Sequence, residues 1–317
     1  MKFLVYEYFS FGGLQDQKKS LLMEGLCMLN LIVDGLRKAG HHVHPIIGDS
    51  INVPYGGIDV LVSEKHMDPI TFLMEKADEL DVDYVYPIAP DRMLGDITST
   101  LKGEVELVCS DPDAINTAAD KWQTYVILED EGLKQPETFK DQHPGKNFLV
   151  KPRYGVGCEG VRLGSGAGSE SINQEYIHGV DASVIVFSDG RNSKAICLNK
   201  QKITLKGRIL NYDGGVVPLS HPLRDDAFVS AQKAVNSIKG LKGCVGVDMV
   251  LSDEPYIIEI NPRVTTSMAA LEQAADFNVA DSSLDAYNGK LPKRPEFKSM
   301  VEFSLTEDGI SFFHKDM

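Results

Sequence analysis

The chain has 317 residues, enough for two large domains or three smaller ones, and its 43% hydrophobic and 25% charged content is that of a globular protein rather than a disordered or fibrous one. Its 32 basic and 46 acidic residues give a net charge of −14, a surface that repels phosphate backbones and anionic lipids and argues against nucleic acid or membrane as partner. No run approaches the ~18 uncharged apolar residues of a membrane helix, and the apolar N-terminus, broken by Glu7, does not read as a signal peptide, so a cytoplasmic protein is expected.

Residues 2–8 (KFLVYEY) read as a strand ending at Phe11-Gly12-Gly13. From Ser20 to Ala39, Leu22, Leu26, Leu29, Val33 and Leu36 recur at helical spacing, and Gly40 after Arg37 and Lys38 marks the stop. HVHPII and GIDVLVS read as strands, Asp68 to Leu80 as a helix, and DYVYPIA as a strand. This alternation predicts an α/β unit with a mainly parallel sheet. Ligands gather beyond the carboxyl ends of such strands, here at Gly12-Gly13 and at the Ala89-Pro90-Asp91-Arg92 turn. Asp111 to Gly132 reads as two short helices. A stretch punctuated by Pro136, Pro144 and Gly145 and the strand FLVKP follow. The strands SVIVFS and KAICLN, a helix from Asp226 to Ile238, a hairpin from Val245 to Ile260 and a last helix from Ala269 to Phe277 complete the chain.

Three segments carry chemistry. In the first, Lys151 on FLVKP is followed by Tyr154, Gly155, Val156, Gly157 and Gly160. A strand lysine beside a glycine loop suits phosphate, because backbone N–H groups approach the oxygens and the ammonium offsets their charge. The loop matches G-x-G-x-x-G, which would suit an NAD(P)-binding oxidoreductase if a helix began at Gly160. Val161-Arg162-Leu163 and more glycines predict instead a loop between two antiparallel strands. In the second, backbone groups near Glu175, Tyr176 and Ile177 could read an adenine edge and Asp181 could hold ribose hydroxyls; a plain polar strand-turn is the alternative.

The third runs from Gly246 to Arg263. Two β-prone runs flank Ser252-Asp253-Glu254-Pro255 and read as a hairpin. Pairing Leu251 with Tyr256 sets Asp248 opposite Glu259 and Gly246 opposite Asn261. Alternation then places Asp248, Glu259, Asn261 and Arg263 on one face and Val247, Met249, Ile258 and Ile260 on the other. Facing carboxylates repel by up to ~1 kcal/mol unless a cation sits between them. A donor set of oxygens alone points to Mg²⁺ or Mn²⁺; a solvated edge hairpin is the alternative.

Lys121, Lys151 with its glycine loop, Glu175 and Asp181, then Asp248, Glu259, Asn261 and Arg263, in this order and spacing, resemble the ATP-grasp superfamily of carboxylate–amine ligases. The resemblance implies an ATP-grasp fold, α/β and α+β: a parallel α/β domain over 1–110, a small lid domain over 111–182 and an antiparallel-sheet domain over 183–317. It also implies ATP on Lys121 and Lys151, two Mg²⁺ or Mn²⁺ ions on Asp248, Glu259 and Asn261, and Arg263 stabilising charge on the transferred phosphoryl. Lys200 and Lys202 are further candidates for the γ-phosphate or the acid, one of the two pointing inward. Softer words, among them Glu7-Tyr8, Glu24-Gly25, Ala89-Pro90-Asp91, Asn199-Lys200-Gln201 and Asn261-Pro262-Arg263-Val264-Thr265-Thr266-Ser267, resemble the tyramine–L-glutamate ligase group of methanofuran biosynthesis. That group's pattern carries Glu after Ala-Pro and an aromatic after Thr-Thr-Ser, where this chain has Asp91 and Met268. The resemblance implies small-molecule partners, a carboxylate such as L-glutamate and an amine such as tyramine, joined through an acylphosphate. A ligase of another amino-acid or peptide pathway stays open, as does assembly as a homodimer.

Other residues carry less. His41, His42 and His44 sit at a helix-to-strand junction and read as a solvated turn, and Trp122 reads as core. Cys27, Cys109, Cys158, Cys197 and Cys244 form neither a CxxC pair nor a Cys/His ligand spacing, as expected of reduced thiols.

Overall fold

The computed structural model describes residues 1–12, 19–51, 58–64, 67–140, 147–155, 157–164, 166, 168, 170–306 and 309–316. The expectations for Gly13, Pro144, Gly145 and Val156 lie outside these residues.

Strands β1 (Lys2–Glu7), β2 (His42–Gly48), β3 (Leu61–Ser63) and β4 (Tyr84–Ile88) form a parallel sheet in the order β3-β2-β1-β4. Helix α1 (Lys19–Lys38) covers one face and helices α2 (Pro69–Leu80) and α3 (Asp91–Leu101) the other. That double cover explains the unbroken apolar run of β1. Phe3 and Val5 pack with Leu29, Ile32 and Leu36, while Leu4 and Tyr6 pack with Phe72, Leu73, Leu94 and Ile97. The sequence reading predicts only a turn where α3 begins. Leu94, Ile97 and Leu101 do keep helical spacing, but Pro90-Asp91 and Gly95 obscure it.

Helices α4 (Pro112–Ala119) and α5 (Lys121–Asp130) lead into a second, antiparallel sheet. Its strands are β5 (Thr138–Phe139), β6 (Phe148–Pro152), β7 (Arg162–Leu163), β8 (Ser171–Glu175), β9 (Val180–Asp189), β10 (Ser193–Lys206), β11 (Ile209–Val217), β12 (Lys242–Leu251), β13 (Pro255–Asn261), β14 (Met300–Thr306) and β15 (Gly309–Lys315). They run β13-β12-β9-β10-β11-β7-β6-β8-β5, with the β14–β15 hairpin added at β11. Helix α6 (Arg224–Ser237) packs Phe228, Ala231 and Val235 against Val184, Val186, Val245 and Val247 on one face. On the other face, α7 (Thr266–Ala274) and α8 (Val279–Tyr287) join α1 over Ile185, Phe187 and Cys244. Among the described residues no helix is long and apolar enough to cross a membrane.

Strand β11, helix α8 and the β14–β15 hairpin go beyond the sequence reading, which ends its last helix at Phe277. In β11, Gly214-Gly215 mimics a turn, yet it lies inside a strand: a Cβ on Gly214 would sit 2.1 Å from the Phe303 carbonyl oxygen of β14. The glycines there admit a close neighbour rather than end the strand.

The β12–β13 hairpin meets the predicted pairing of Asp248 with Glu259 and of Gly246 with Asn261, by a different route. At the tip Leu251 pairs with Pro255 and Val250 with Tyr256, one residue out of the expected register. A bulge between Asp248 and Met249 absorbs Ile258 and restores it. Ile257 therefore takes the core position expected for Ile258, which turns to the other face.

Candidate active site

The carboxyl ends of β1 and β4 open onto the face of the large sheet that carries Asp248, and one continuous cavity lies between them. At its deep end β6 presents Lys151, which is buried and donates to Gln174 Oε1 on β8 at 2.5 Å. Burial pulls its pKa down while Glu259 pulls it up. Lys121 opens α5, whose N-terminus is capped by Asp120 accepting from the Trp122 and Gln123 N–H groups at 3.0 and 3.3 Å. From there the Lys121 ammonium lies 3.3 Å from Glu259 Oε2 and donates to the Gly155 carbonyl at 2.9 Å. The two lysines thus converge on Glu259 from different strands and helices.

The glycine loop joins β6 to β7, and the two strands pair antiparallel through Leu149↔Leu163 and Val150↔Arg162. No helix starts at Gly160, so the geometry a dinucleotide fingerprint requires is missing. Gly155, Gly157, Glu175, Tyr176, Ile177 and Asp181 all line the cavity with the lysines. Burial raises the Asp181 pKa, with Lys151 and Lys200 acting against it. Tyr154 is a correction. Its hydroxyl donates to Asp120 Oδ2 at 3.1 Å, and the guanidinium groups of Arg92 and Arg153 lie 5.0 and 5.5 Å from its ring centroid. Held there, it faces a separate shallow cleft beside α3 and α4.

Asp248 and Glu259 face each other at the centre of the cavity. Asp248 accepts from Gln201 Nε2 at 3.0 Å and from Asn261 Nδ2 at 3.3 Å. Burial and then Glu259 push the Asp248 pKa well above the carboxylate range. Against its own burial, Lys121 and Lys151 hold the Glu259 pKa below its usual value. Of the two, Asp248 therefore holds a proton more readily than Glu259. Two carboxylates and an amide oxygen are hard donors that suit a divalent ion such as Mg²⁺. Among the described residues no cluster of three or more His, Cys, Asp or Glu side chains could hold a metal; an ion here would complete its shell from phosphate oxygens and water.

Arg263 lies further along the same wall, its Nε 2.6 Å from Asp91 Oδ1 and its Nη1 3.1 Å from the Val264 carbonyl. Lys200 is a second correction: it is exposed and absent from the cavity lining, and Lys202 pairs with Glu302. Gln201 and Ile203 are the residues of this strand that line the cavity, and Gln201 is the polar one. Alternation could have found it, since Asn199 pairs with Ser183 and Ser183 with Asp248, so Gln201 shares their face.

Beyond Arg263 the wall turns acidic and apolar. Glu7 is fully buried and accepts from Ser10 and Phe9 N–H groups at 2.7 and 3.2 Å. A Cβ on Gly25 would fall 2.4 Å from its Oε2, so only glycine leaves α1 room for this carboxyl. Burial lifts the Glu7 pKa to about 7. Glu24 accepts from Thr266 Oγ1 at 3.1 Å and is likewise raised by burial. Phe9, Leu21 and Met28 complete this end.

The fold, two lysines and paired carboxylates define a nucleotide-dependent ligase, and the ATP-grasp domain profile matches residues 118–267. The chain belongs to the ATP-grasp family of ATP-dependent carboxylate–amine ligases. It is 30% identical over 275 residues to tyramine–L-glutamate ligase of Methanocaldococcus fervens, covering 85% of this chain and 89% of that protein. The Methanocaldococcus jannaschii enzyme of the same name is 29% identical over 276 residues, 85% of this chain and 84% of that one. A crystal structure of an ATP-grasp superfamily protein from Archaeoglobus fulgidus superposes with a TM-score of 0.79 at 27% identity, over 100% of this chain and 99% of that one. The L-amino acid ligase of Bacillus licheniformis shares the fold, with a TM-score of 0.71 at 14% identity over 96% of this chain and 79% of that one.

Proposed function

We propose that this ligase joins L-glutamate to tyramine, with ATP converted to ADP and phosphate. The observation that carries the reading is the continuity of the cavity, from Lys121 and Lys151 past Asp248 and Glu259 to Arg263, and on to Glu7, Glu24 and the apolar wall of Phe9, Leu21 and Met28. A cationic amine bearing an aromatic ring matches carboxyls set beside an apolar wall. The similarity to two tyramine–L-glutamate ligases along most of the chain supports the same pair of substrates.

In this reading the adenine lies against Glu175, Tyr176 and Ile177, the ribose against Asp181, and the phosphates beneath the Gly155–Gly160 loop on Lys121 and Lys151. The unit over 111–182 acts as the lid, between the α/β unit over 1–110 and the remainder over 183–317. Asp248, Glu259 and Asn261 would hold Mg²⁺ or Mn²⁺, which would supply positive charge to offset that of the phosphates. A glutamate carboxylate oxygen attacks the γ-phosphorus, ADP leaves, and the amine, having first given up its ammonium proton to water, attacks the acyl carbon of the acylphosphate. Phosphate departs and the amine nitrogen loses a proton. Arg263 stabilises the developing negative charge by fixed hydrogen-bond donors, which need no reorganisation as the reaction proceeds. The protein's part is alignment and charge, with no covalent enzyme intermediate.

A coupled ADP-release assay over a grid of amino acids and amines tests this. ADP should appear only when an acid and an amine are both present, fastest with L-glutamate and tyramine, with the amide product identified by mass. Turnover with a different pair and none with this one would overturn the substrate assignment.

A further inference from the structure

The geometry points to Asp91 as a positioning residue for Arg263, a role that rests on the ligase reading above. Arg263 follows the last strand of the hairpin, in a turn before α7, where the Val264 carbonyl holds only one edge of its guanidinium. Asp91 holds another from the other side of the cavity. It is the first residue of α3, where the N-terminal turn of the helix favours a negative charge. Its Oδ1 accepts from Arg263 Nε at 2.6 Å, and Nη1 donates to the Val264 carbonyl at 3.1 Å. Both partners are largely buried, with side chains 11% and 13% exposed. Two edges of the guanidinium are thereby spoken for, which fixes its plane and leaves the Nη2 side for the cavity that Arg263 lines.

The next residue adds a second tie. Arg92 lies 5.0 Å from the Tyr154 ring centroid, at the start of the glycine loop. The Asp91-Arg92 step thus touches both the arginine of the reaction centre and the lid loop. Asp91 touches neither nucleotide nor substrate in this reading. Its contribution passes through Arg263, as a small misplacement of a reacting group costs on the order of 100-fold in rate.

The test combines kinetics with a direct readout of the arginine. D91N keeps the shape and removes the charge; it should lower kcat by roughly 10- to 100-fold while the KM for ATP stays within about twofold. In an R263A background the same change should do nothing further, because coupled residues are non-additive. D91E should recover most of the activity, since a carboxylate is what the site needs. Independently of any substrate, nitrogen-15 NMR of the arginine side chains should show slow guanidinium rotation for Arg263 in wild type and fast rotation in D91N. A freely rotating Arg263 in wild type, or a D91N effect that persists undiminished without Arg263, would overturn the proposal. If no acid and amine pair supports turnover, the ligase reading fails, while the rotation measurement still decides whether Asp91 orients Arg263.

Discussion

Replacing Asp248 by Asn separates a metal ligand from a structural carboxyl, because the two roles move stability in different directions. In the free protein the substitution is nearly silent by the contacts present. Gln201 Nε2 can donate to the new amide oxygen as it does to Oδ1 at 3.0 Å. The Asn261 amide, 3.3 Å from Oδ2, would meet an NH₂ group, but a half-turn of its own amide presents an oxygen instead. A buried polar group left unpaired costs about 1–3 kcal/mol, so this rotation keeps the net change within about 1 kcal/mol. The substitution also removes the unfavourable interaction with Glu259 that helps raise the Asp248 pKa. The bound state differs. A ligand at 100 times its dissociation constant stabilises by about 2.7 kcal/mol, and D248N should lose most of that for Mg²⁺ with a non-hydrolysable ATP analogue. Thermal unfolding with and without the analogue reads both numbers, and ADP release should fall by at least ~100-fold. An unliganded D248N that melts far below wild type, or one that keeps the full Mg²⁺-dependent shift, would refute the reasoning.

K151M should weaken ATP binding by roughly 10- to 100-fold, the range for losing a hydrogen bond to a charged group, as calorimetry would show. K200A should leave ADP release within about twofold, as expected of an exposed side chain, and a larger loss would return Lys200 to the site. The Glu7 carboxyl has a folded pKa of about 7 against an ordinary 4.5, so the native state binds its proton more tightly than the unfolded chain. That contribution is complete below pH 4.5, declines as pH rises and is gone above pH 7, in total about 3 kcal/mol at 1.36 kcal/mol per unit. Relative to wild type, E7Q should therefore gain stability between pH 5 and pH 8 in denaturant titrations, and a pH-independent difference would show that Glu7 does not titrate.

The most legible parts of this molecule are those where local pattern and tertiary role agree. The doubly covered strand Lys2–Glu7 is apolar without alternation, and the helix Lys19–Lys38 shows a clean buried stripe. Lys151, Asp248, Glu259 and Asn261 are found together because each sits on a strand, where parity assigns the face. Lys200 misleads because chemical type favours a lysine, while parity favours its neighbour Gln201. Tyr154 misleads because its position is decided by its neighbour Arg153 together with Arg92 and Asp120, two contacts distant in sequence. The Asp91–Arg263 pair spans 172 residues and leaves no local trace. Helix α8 and the last hairpin pack against α1 and β11; β14 does alternate, with buried Val301 and Phe303 interleaved with Glu302 and Ser304, a signal the sequence reading passes over.

The bulge at Ile258 has a consequence for how this site tolerates change. A regular strand cannot turn two consecutive side chains to one side, yet here Ile258 and Glu259 both line the cavity while Ile257 and Ile260 stay in the core. One short segment thus supplies an apolar surface and an acid as immediate neighbours. Removing Ile258 would leave Met249 against Ile257 and Asp248 against Glu259, now in uninterrupted register. Length variation at this one position is therefore harmless to the acid pair and alters only the apolar surface beside it. Deleting Ile257 gives the same chain as deleting Ile258, whereas a deletion one residue later removes the acid itself. Among relatives, a gap should be tolerated at this isoleucine pair and not at Glu259, with the cost falling on the apolar surface of the cavity.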